Sequence, residues 1–346
     1  MDMPLSWISK LRTFTFRQDA NVIELLAILA MLPLLEDLQI YELTAFTGRN
    51  VSLVNLPKLT NLGLNSCNLS SMVALLERIS PAVGCCLSMF KPVNSHESYL
   101  QDARRSQAVI MRYVQNYFES RLPTWIALSC EDHVLELDET DVSRINTNCF
   151  APPGLSIWMP FNDDDPFLIE LLLNADFLST VLELDLRRWK RDRTPFPLSA
   201  FDSVTTLWIN YESLVSLSKQ QGSNLPQLSV LKFGERFNGR FKEPLLSFLQ
   251  HRWAIKRPIS ILDFSPTYDY PACDLDDLEE FTGLRVSWDA ASFKKDVQEY
   301  VCGTGSPEIL CFEKNYQKDE TVMAICTPGR PIIELWQGWS GQISGI

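Results

Sequence analysis

Leu11-Arg12-Thr13-Phe14-Thr15-Phe16, Leu35-Glu36-Asp37-Leu38-Gln39-Ile40 and Leu59-Thr60-Asn61-Leu62-Gly63-Leu64 are three copies of one pattern, with apolar residues at the first, fourth and sixth places. Consecutive copies start 24 residues apart, and Leu32-Pro33 and Leu56-Pro57 sit at the same offset before the second and third. A unit this short cannot bury its own apolar face, so a fixed period implies units stacked on one another.

The third copy continues into Cys67 and Leu69 and so fills every key place of a leucine-rich repeat. The cysteine position of that template turns the chain out of its strand by bonding to backbone. In the other copies it is lost, and the repeats are degenerate. The strand core returns as Val181-x-x-Leu184-x-Leu186, Val204-x-x-Leu207-x-Ile209, Leu228-x-x-Leu231-x-Phe233 and Ile259-x-x-Leu262-x-Phe264, at spacings of 23, 24 and 31 residues. Asn224-Leu225-Pro226-Gln227-Leu228 echoes Asn55-Leu56-Pro57-Lys58-Leu59, so both halves follow one design. These observations predict an α/β fold: a leucine-rich-repeat solenoid with irregular repeats, a parallel inner sheet and outer helices.

Strand alternation separates two faces. The inward places are Phe14, Phe16, Leu38, Ile40, Leu62, Leu64, Leu184, Leu186, Leu207, Ile209, Leu231, Phe233, Leu262 and Phe264, all apolar. The alternate places are mostly polar, whereas a parallel sheet buried on both faces carries continuous apolar runs. The outward set that follows is Arg17, Asp37, Gln39, Tyr41, Asn61, Asn65, Glu183, Asp185, Arg187, Trp208, Asn210, Lys232 and Asp263. We expect this set to form the partner-binding, concave face. Trp208, flanked by Thr206 and Asn210, is its aromatic anchor, because tryptophan is enriched at interface hot spots. The bland alternative is a neighbouring loop that covers Trp208.

Helical patterns fall between the strands. Val22 to Leu32, Ser71 to Ile79 (with Ser70 or Ser71 as cap), Tyr99 to Arg121, Pro166 to Leu178, Pro244 to Trp253 and Ala290 to Cys302 are the expected helices. Residues 1–310 are read as one solenoid, irregular over 85–165, with 311–346 a C-terminal extension. Apolar runs at Cys86 to Phe90, Trp125 to Leu128 and Leu155 to Met159 suggest that the repeats continue through the middle. The alternative is an inserted subdomain there.

The net charge of −12, from 43 acidic and 31 basic residues, argues against general affinity for nucleic-acid phosphates. Arg187-Arg188-Trp189-Lys190-Arg191-Asp192-Arg193 is the basic exception. It reads as a solvated loop or as a docking patch for an acidic partner. Nine irregularly spaced cysteines and no signal-peptide pattern predict free thiols and a cytoplasmic or nuclear location. No membrane span is expected.

Catalytic and metal motifs are weak, and no cofactor is expected. Cys130-x-x-His133 lacks a second ligand pair, and Cys302-Gly303-Thr304-Gly305-Ser306-Pro307 lacks a phosphate-loop lysine. Asp163-Asp164-Asp165 fits a helix entrance better than a calcium site. Asp138, Glu139 and Asp141 would have to serve a hydrolase, the remote enzymatic alternative to a non-enzymatic binding protein.

Leu32-Pro33-Leu34-Leu35-Glu36-Asp37-Leu38, Leu56-Pro57-Lys58-Leu59-Thr60-Asn61-Leu62-Gly63-Leu64 and Ala74 through Pro81 resemble the repeat portion of fungal, mushroom-type F-box proteins. Phe248-Leu249-Gln250, Pro258-Ile259, Leu262 and Gly283-Leu284 extend the resemblance over about residues 5 to 290. It implies the substrate-receptor arm of a cullin-type ubiquitin ligase, with the repeats capturing a protein target. The F-box itself is not found, since the first strand is expected from residue 11. A ligase adaptor is therefore an expected partner only if an F-box lies outside this chain; otherwise the protein is an F-box-independent interaction protein.

Overall fold

A computed structural model describes residues 5–17, 21–43, 52–89, 103–131, 134–139, 154–160, 175–189, 198–219, 225–235, 237–267, 271, 273–289 and 297–312. The first half contains β1 (Thr13–Phe16), α1 (Val22–Leu29), β2 (Asp37–Tyr41), β3 (Val54–Leu56), β4 (Asn61–Asn65), α2 (Leu69–Leu76), β5 (Ile79–Pro81) and β6 (Cys86–Met89). The middle contributes α3 (Ala103–Phe118), β7 (Trp125–Glu131), β8 (Val134–Asp138) and β9 (Ser156–Pro160). The second half adds β10 (Glu183–Asp185), β11 (Thr206–Ile209), α4 (Tyr211–Lys219), β12 (Val230–Phe233), α5 (Gly239–Ala254), β13 (Ile261–Asp263), β14 (Arg285–Asp289) and β15 (Val297–Val301).

Thirteen of these strands form one mostly parallel sheet in the order β1-β2-β4-β6-β9-β8-β7-β10-β11-β12-β13-β14-β15. Its register reproduces the repeat arithmetic. Thr13 pairs with Asp37 and Asp37 with Asn61, 24 residues apart each time. Glu183 pairs with Thr206, Thr206 with Val230 and Val230 with Ile261, at the sequence spacings of 23, 24 and 31. The three apolar runs of the middle are β6, β7 and β9, which belong to the same sheet; β8 runs antiparallel between β9 and β7. A separate parallel pair, β3 with β5, lies outside it.

The inward side chains Leu38, Ile40, Leu62, Leu64, Leu184, Leu186, Leu207, Ile209, Leu231, Phe233, Leu262 and Phe264 are buried. They share one core with the apolar faces of the helices, Leu25, Leu26 and Leu29 of α1 among them. Phe14 and Phe16 on the edge strand β1 are only partly buried against that core.

Successive units are joined by a recurrent bond set at each strand entrance. The Glu36 carbonyl accepts from the Thr60 and Asn61 amides and the Thr60 hydroxyl, at 2.9, 3.1 and 3.1 Å. Thr205 and Thr206 repeat this on Leu182, Ser229 and Val230 on Thr205, and Ser260 and Ile261 on Ser229. A hydroxyl just before the strand thus adds a third bond to a carbonyl of the preceding unit.

Helix starts differ from expectation. Asn68, not Ser70 or Ser71, caps α2 by accepting from the Ser70 amide at 2.9 Å. Asn21 and Asn238 cap α1 and α5 in the same way. The side-chain amide oxygen one residue outside the helix reaches an amide that lacks an intrahelical partner. Pro244 lies inside α5, which begins five residues earlier.

The expected helix over 290–302 is corrected: residues 297–301 are strand β15, antiparallel to β14, with Val286 opposite Tyr300. Apolar residues spaced for a helix serve here as a two-sided edge strand, with only Tyr300 buried. Of the expected helix from Pro166, residues 166–174 lie outside the described residues, and Asp176–Thr180 form a single 3-10 turn. The 311–346 extension falls outside them beyond Phe312.

Candidate binding face of the sheet

The pairing register aligns the outward residues in rows across the strands. Asp185, Trp208, Lys232 and Asp263 lie side by side on β10 to β13. Trp208 is therefore flanked by charge on both sides. The Arg187 guanidinium lies 4.4 Å and the Lys232 ammonium 4.8 Å from its ring centroid, within cation–π range. The indole N–H donates to Glu183 on the adjacent strand, and Lys232 Nζ stands 3.7 Å from the same carboxylate. Trp208 is half-buried among these side chains.

Arg187 organises the cluster. Its Nε and Nη2 donate to Asp185 at 3.0 and 2.6 Å, and its own amide donates to Asp185 Oδ1 at 2.9 Å. Its carbonyl accepts from Asn210 Nδ2 at 2.7 Å. The side chain then crosses to β12's end, where a Cβ on Gly234 would stand 1.8 Å from Arg187 Cδ. The missing side chain at residue 234 is what admits Arg187.

The first half carries a smaller version. Asp37 accepts from Asn61 Nδ2 at 2.9 Å and from Gln39 Nε2 at 3.2 Å. The Gln39 amide fills the space above Gly63, where a Cβ would lie 1.9 Å from Oε1. Arg17 stacks over the exposed Tyr41 ring at 5.5 Å. Asn65, half-buried, turns its carbonyl to the Glu42 amide and the Cys67 thiol. Cys67 does fill the turning role expected of it, and burial pushes its thiol up to about 11.

Three of the expected contact residues have structural duties of their own. Asn210 is buried and caps α4: its Oδ1 accepts the Ser213 amide at 2.8 Å, and its amide donates to Ser213 Oγ. Asp185 is buried beneath Arg187. Asp263 accepts from the Ser265 amide and hydroxyl and from Ser287 Oγ, tying β13 to the following turn and to β14. Alternation places all three outward, but a short polar side chain at a strand's end reaches local backbone before solvent. Strand β14 and the two glycine spaces were not anticipated. A glycine on an outward strand position was the available signal.

Elsewhere Glu139 accepts from the Tyr117 hydroxyl, which Arg121 Nη1 also approaches at 3.0 Å. Asp138 lies at the end of β8, while Asp141, Asp163-Asp164-Asp165 and His133 fall outside the described residues. The Cys302–Pro307 segment is held by a carboxylate from the turn Asp276–Glu280: Glu279 accepts from the Gly305 amide and the Tyr300 hydroxyl, both at 2.8 Å. Among the described residues, no His, Cys, Asp and Glu group could hold a metal ion. No described helix is long and apolar enough to cross a membrane. Seven described cysteines are free thiols; Cys85 and Cys86 are buried and direct their sulfurs to the carbonyls of Cys86 and Gly154.

No protein-family model matches the chain, and no curated protein matches it.

Proposed function

We propose that this protein is a binding scaffold whose repeats form a leucine-rich-repeat solenoid from residue 1 to 310, with the outward sheet face, concave in that arrangement, capturing a protein target. The observation that carries this reading is the half-buried Trp208 set among Glu183, Arg187 and Lys232 on the open face. An aromatic centre with a charged rim matches the anatomy of protein interfaces. The repeat resemblance gives it a setting: the target-capturing arm of a cullin-type ubiquitin ligase receptor, in the cytoplasm or nucleus. Attachment to the ligase adaptor requires an F-box in addition; without one the same face serves an F-box-independent interaction.

The test is quantitative affinity capture from a native extract with full-length protein, Trp208→Ala, and Ile23→Ala on α1 as a control. Trp208→Ala is expected to deplete specific partners at least tenfold, consistent with a hot spot of about 2 kcal/mol. Equal capture by Trp208→Ala, or loss confined to Ile23→Ala, overturns the reading.

A further inference from the structure

We propose that the segment captured at Trp208 is an acidic peptide, whose carboxylates are held by Arg187 and Lys232. This inference rests on the target-binding reading above and specifies its chemistry. The cluster contains two cations and, with Asp263 beside Lys232, three carboxylates, but they are not equally accessible. The side chains of Arg187 and Lys232 are 31% and 27% exposed, whereas those of Glu183 and Asp185 are 21% and 7% exposed. Asp185 lies beneath Arg187, whereas Glu183 is nearly as exposed as Lys232.

Hydrogen-bonding capacity is also unequal. Arg187 uses Nε and Nη2 on Asp185, which leaves Nη1 with no carboxylate partner among the described residues. Lys232 Nζ carries three donors, and its nearest acidic oxygen, on Glu183, is 3.7 Å away, beyond a good hydrogen bond. Glu183 already accepts the Trp208 N–H, and Asp185 already accepts the Arg187 amide and guanidinium. The cluster therefore has donors to spare, against acceptor oxygens unused among the described residues at Glu183 Oε2 and Asp263 Oδ2. A partner carboxylate complements it, while a partner lysine or arginine would meet two cations first.

Both cations stack on the same ring, so one extended peptide can reach both. Alternate residues of a strand lie about 7 Å apart on one face, a spacing suited to an acidic residue at every second place. Arg188 adds no free charge here, because it is paired with Glu136 at 3.8 Å. In a chain of net charge −12 the pair of Arg187 and Lys232 is a local exception, and charge of that kind selects partners and speeds encounter.

The experiment uses full-length protein labelled with 5-fluorotryptophan, with the Trp208 fluorine resonance assigned by its loss in Trp208→Phe. The probes are an octapeptide alternating glutamate and serine, its lysine counterpart, and a thymidine decanucleotide. The acidic peptide is expected to move the Trp208 resonance saturably. Affinity should fall about fivefold in Lys232→Gln, and again between 50 and 300 mM salt in the unmodified protein, which needs no variant to fold. The proposal is overturned if the acidic peptide leaves that resonance in place, if the lysine peptide or the oligonucleotide moves it as strongly, or if Lys232→Gln binds unchanged. Should Trp208-dependent capture of partners persist alongside such a result, the acidic chemistry alone falls; loss of both removes the binding face as well.

Discussion

Replacing Gly234 by alanine puts a methyl group where Arg187 now lies, 1.8 Å from its Cδ and 2.5 Å from its Cγ. Those atoms are the middle of the side chain, not its free end, so Arg187 must leave its path. The backbone at residue 234 is not in the left-handed region, so strain there adds nothing. The cost is what Arg187 relinquishes: a two-pronged contact to the buried Asp185 carboxylate and its stacking on Trp208. A hydrogen bond to a charged group contributes about 1.5–3 kcal/mol and a partly exposed cation–π contact about 1 kcal/mol. Lower chain entropy in the unfolded state offsets about 0.4–1 kcal/mol. Gly234→Ala is therefore expected to lose about 2 kcal/mol in urea unfolding. The decisive measurement is the cycle with Arg187→Ala. In that background Gly234→Ala should be neutral or slightly stabilising, because the space is already empty. An equal loss in both backgrounds refutes the account of the cluster.

Other substitutions separate the two faces and the joints between units. Leu207, fully buried, should cost about 2–5 kcal/mol as alanine through its cavity, whereas Trp208→Ala should cost only about 1–2 kcal/mol; the reverse order in urea unfolding would mean that the two residues had exchanged faces. Thr205→Val removes the hydroxyl bond to the Leu182 carbonyl while keeping shape, and should lower stability by about 0.5–1 kcal/mol in the same assay; no change would assign the joint to backbone bonds alone. Burial raises the Cys85, Cys86 and Cys302 thiols from 9.0 to about 12. Their folded-state values exceed the unfolded ones, so their contribution is complete below pH 9 and is lost as pH rises towards about 12. Native protein at pH 8 should accordingly resist iodoacetamide at these cysteines by mass spectrometry, with rapid labelling only in denaturant; rapid native labelling would contradict their burial.

The repeated strands were readable because two independent periods, 24 along the chain and 2 along the strand, agree at the same residues. Hence Asp37, Asn61 and Leu62 take their expected register, and the spacings of 23 and 31 residues become pairing offsets. Irregular stretches lacked that double signal. β8 and β15 run antiparallel, and their partners cannot be inferred from a parallel repeat. The candidate face was readable one strand at a time, which is why Trp208 and Lys232 were placed but the duties of Asn210 and Asp263 were not. Arg187 reaching Gly234 joins β10 to β12 across the intervening strand, a relation that exists only once the sheet is assembled.

Site-specific photo-crosslinking tests the central claim most directly. A benzophenone amino acid is placed singly at Thr206 and Val230 on the outward rows, and at Met31 and Trp253 on the helical side, where both native side chains are exposed. The account predicts that the same target is trapped from the outward positions and not from the helical ones. A target trapped from Met31 or Trp253, with none from Thr206 or Val230, would place binding on the other side of the molecule.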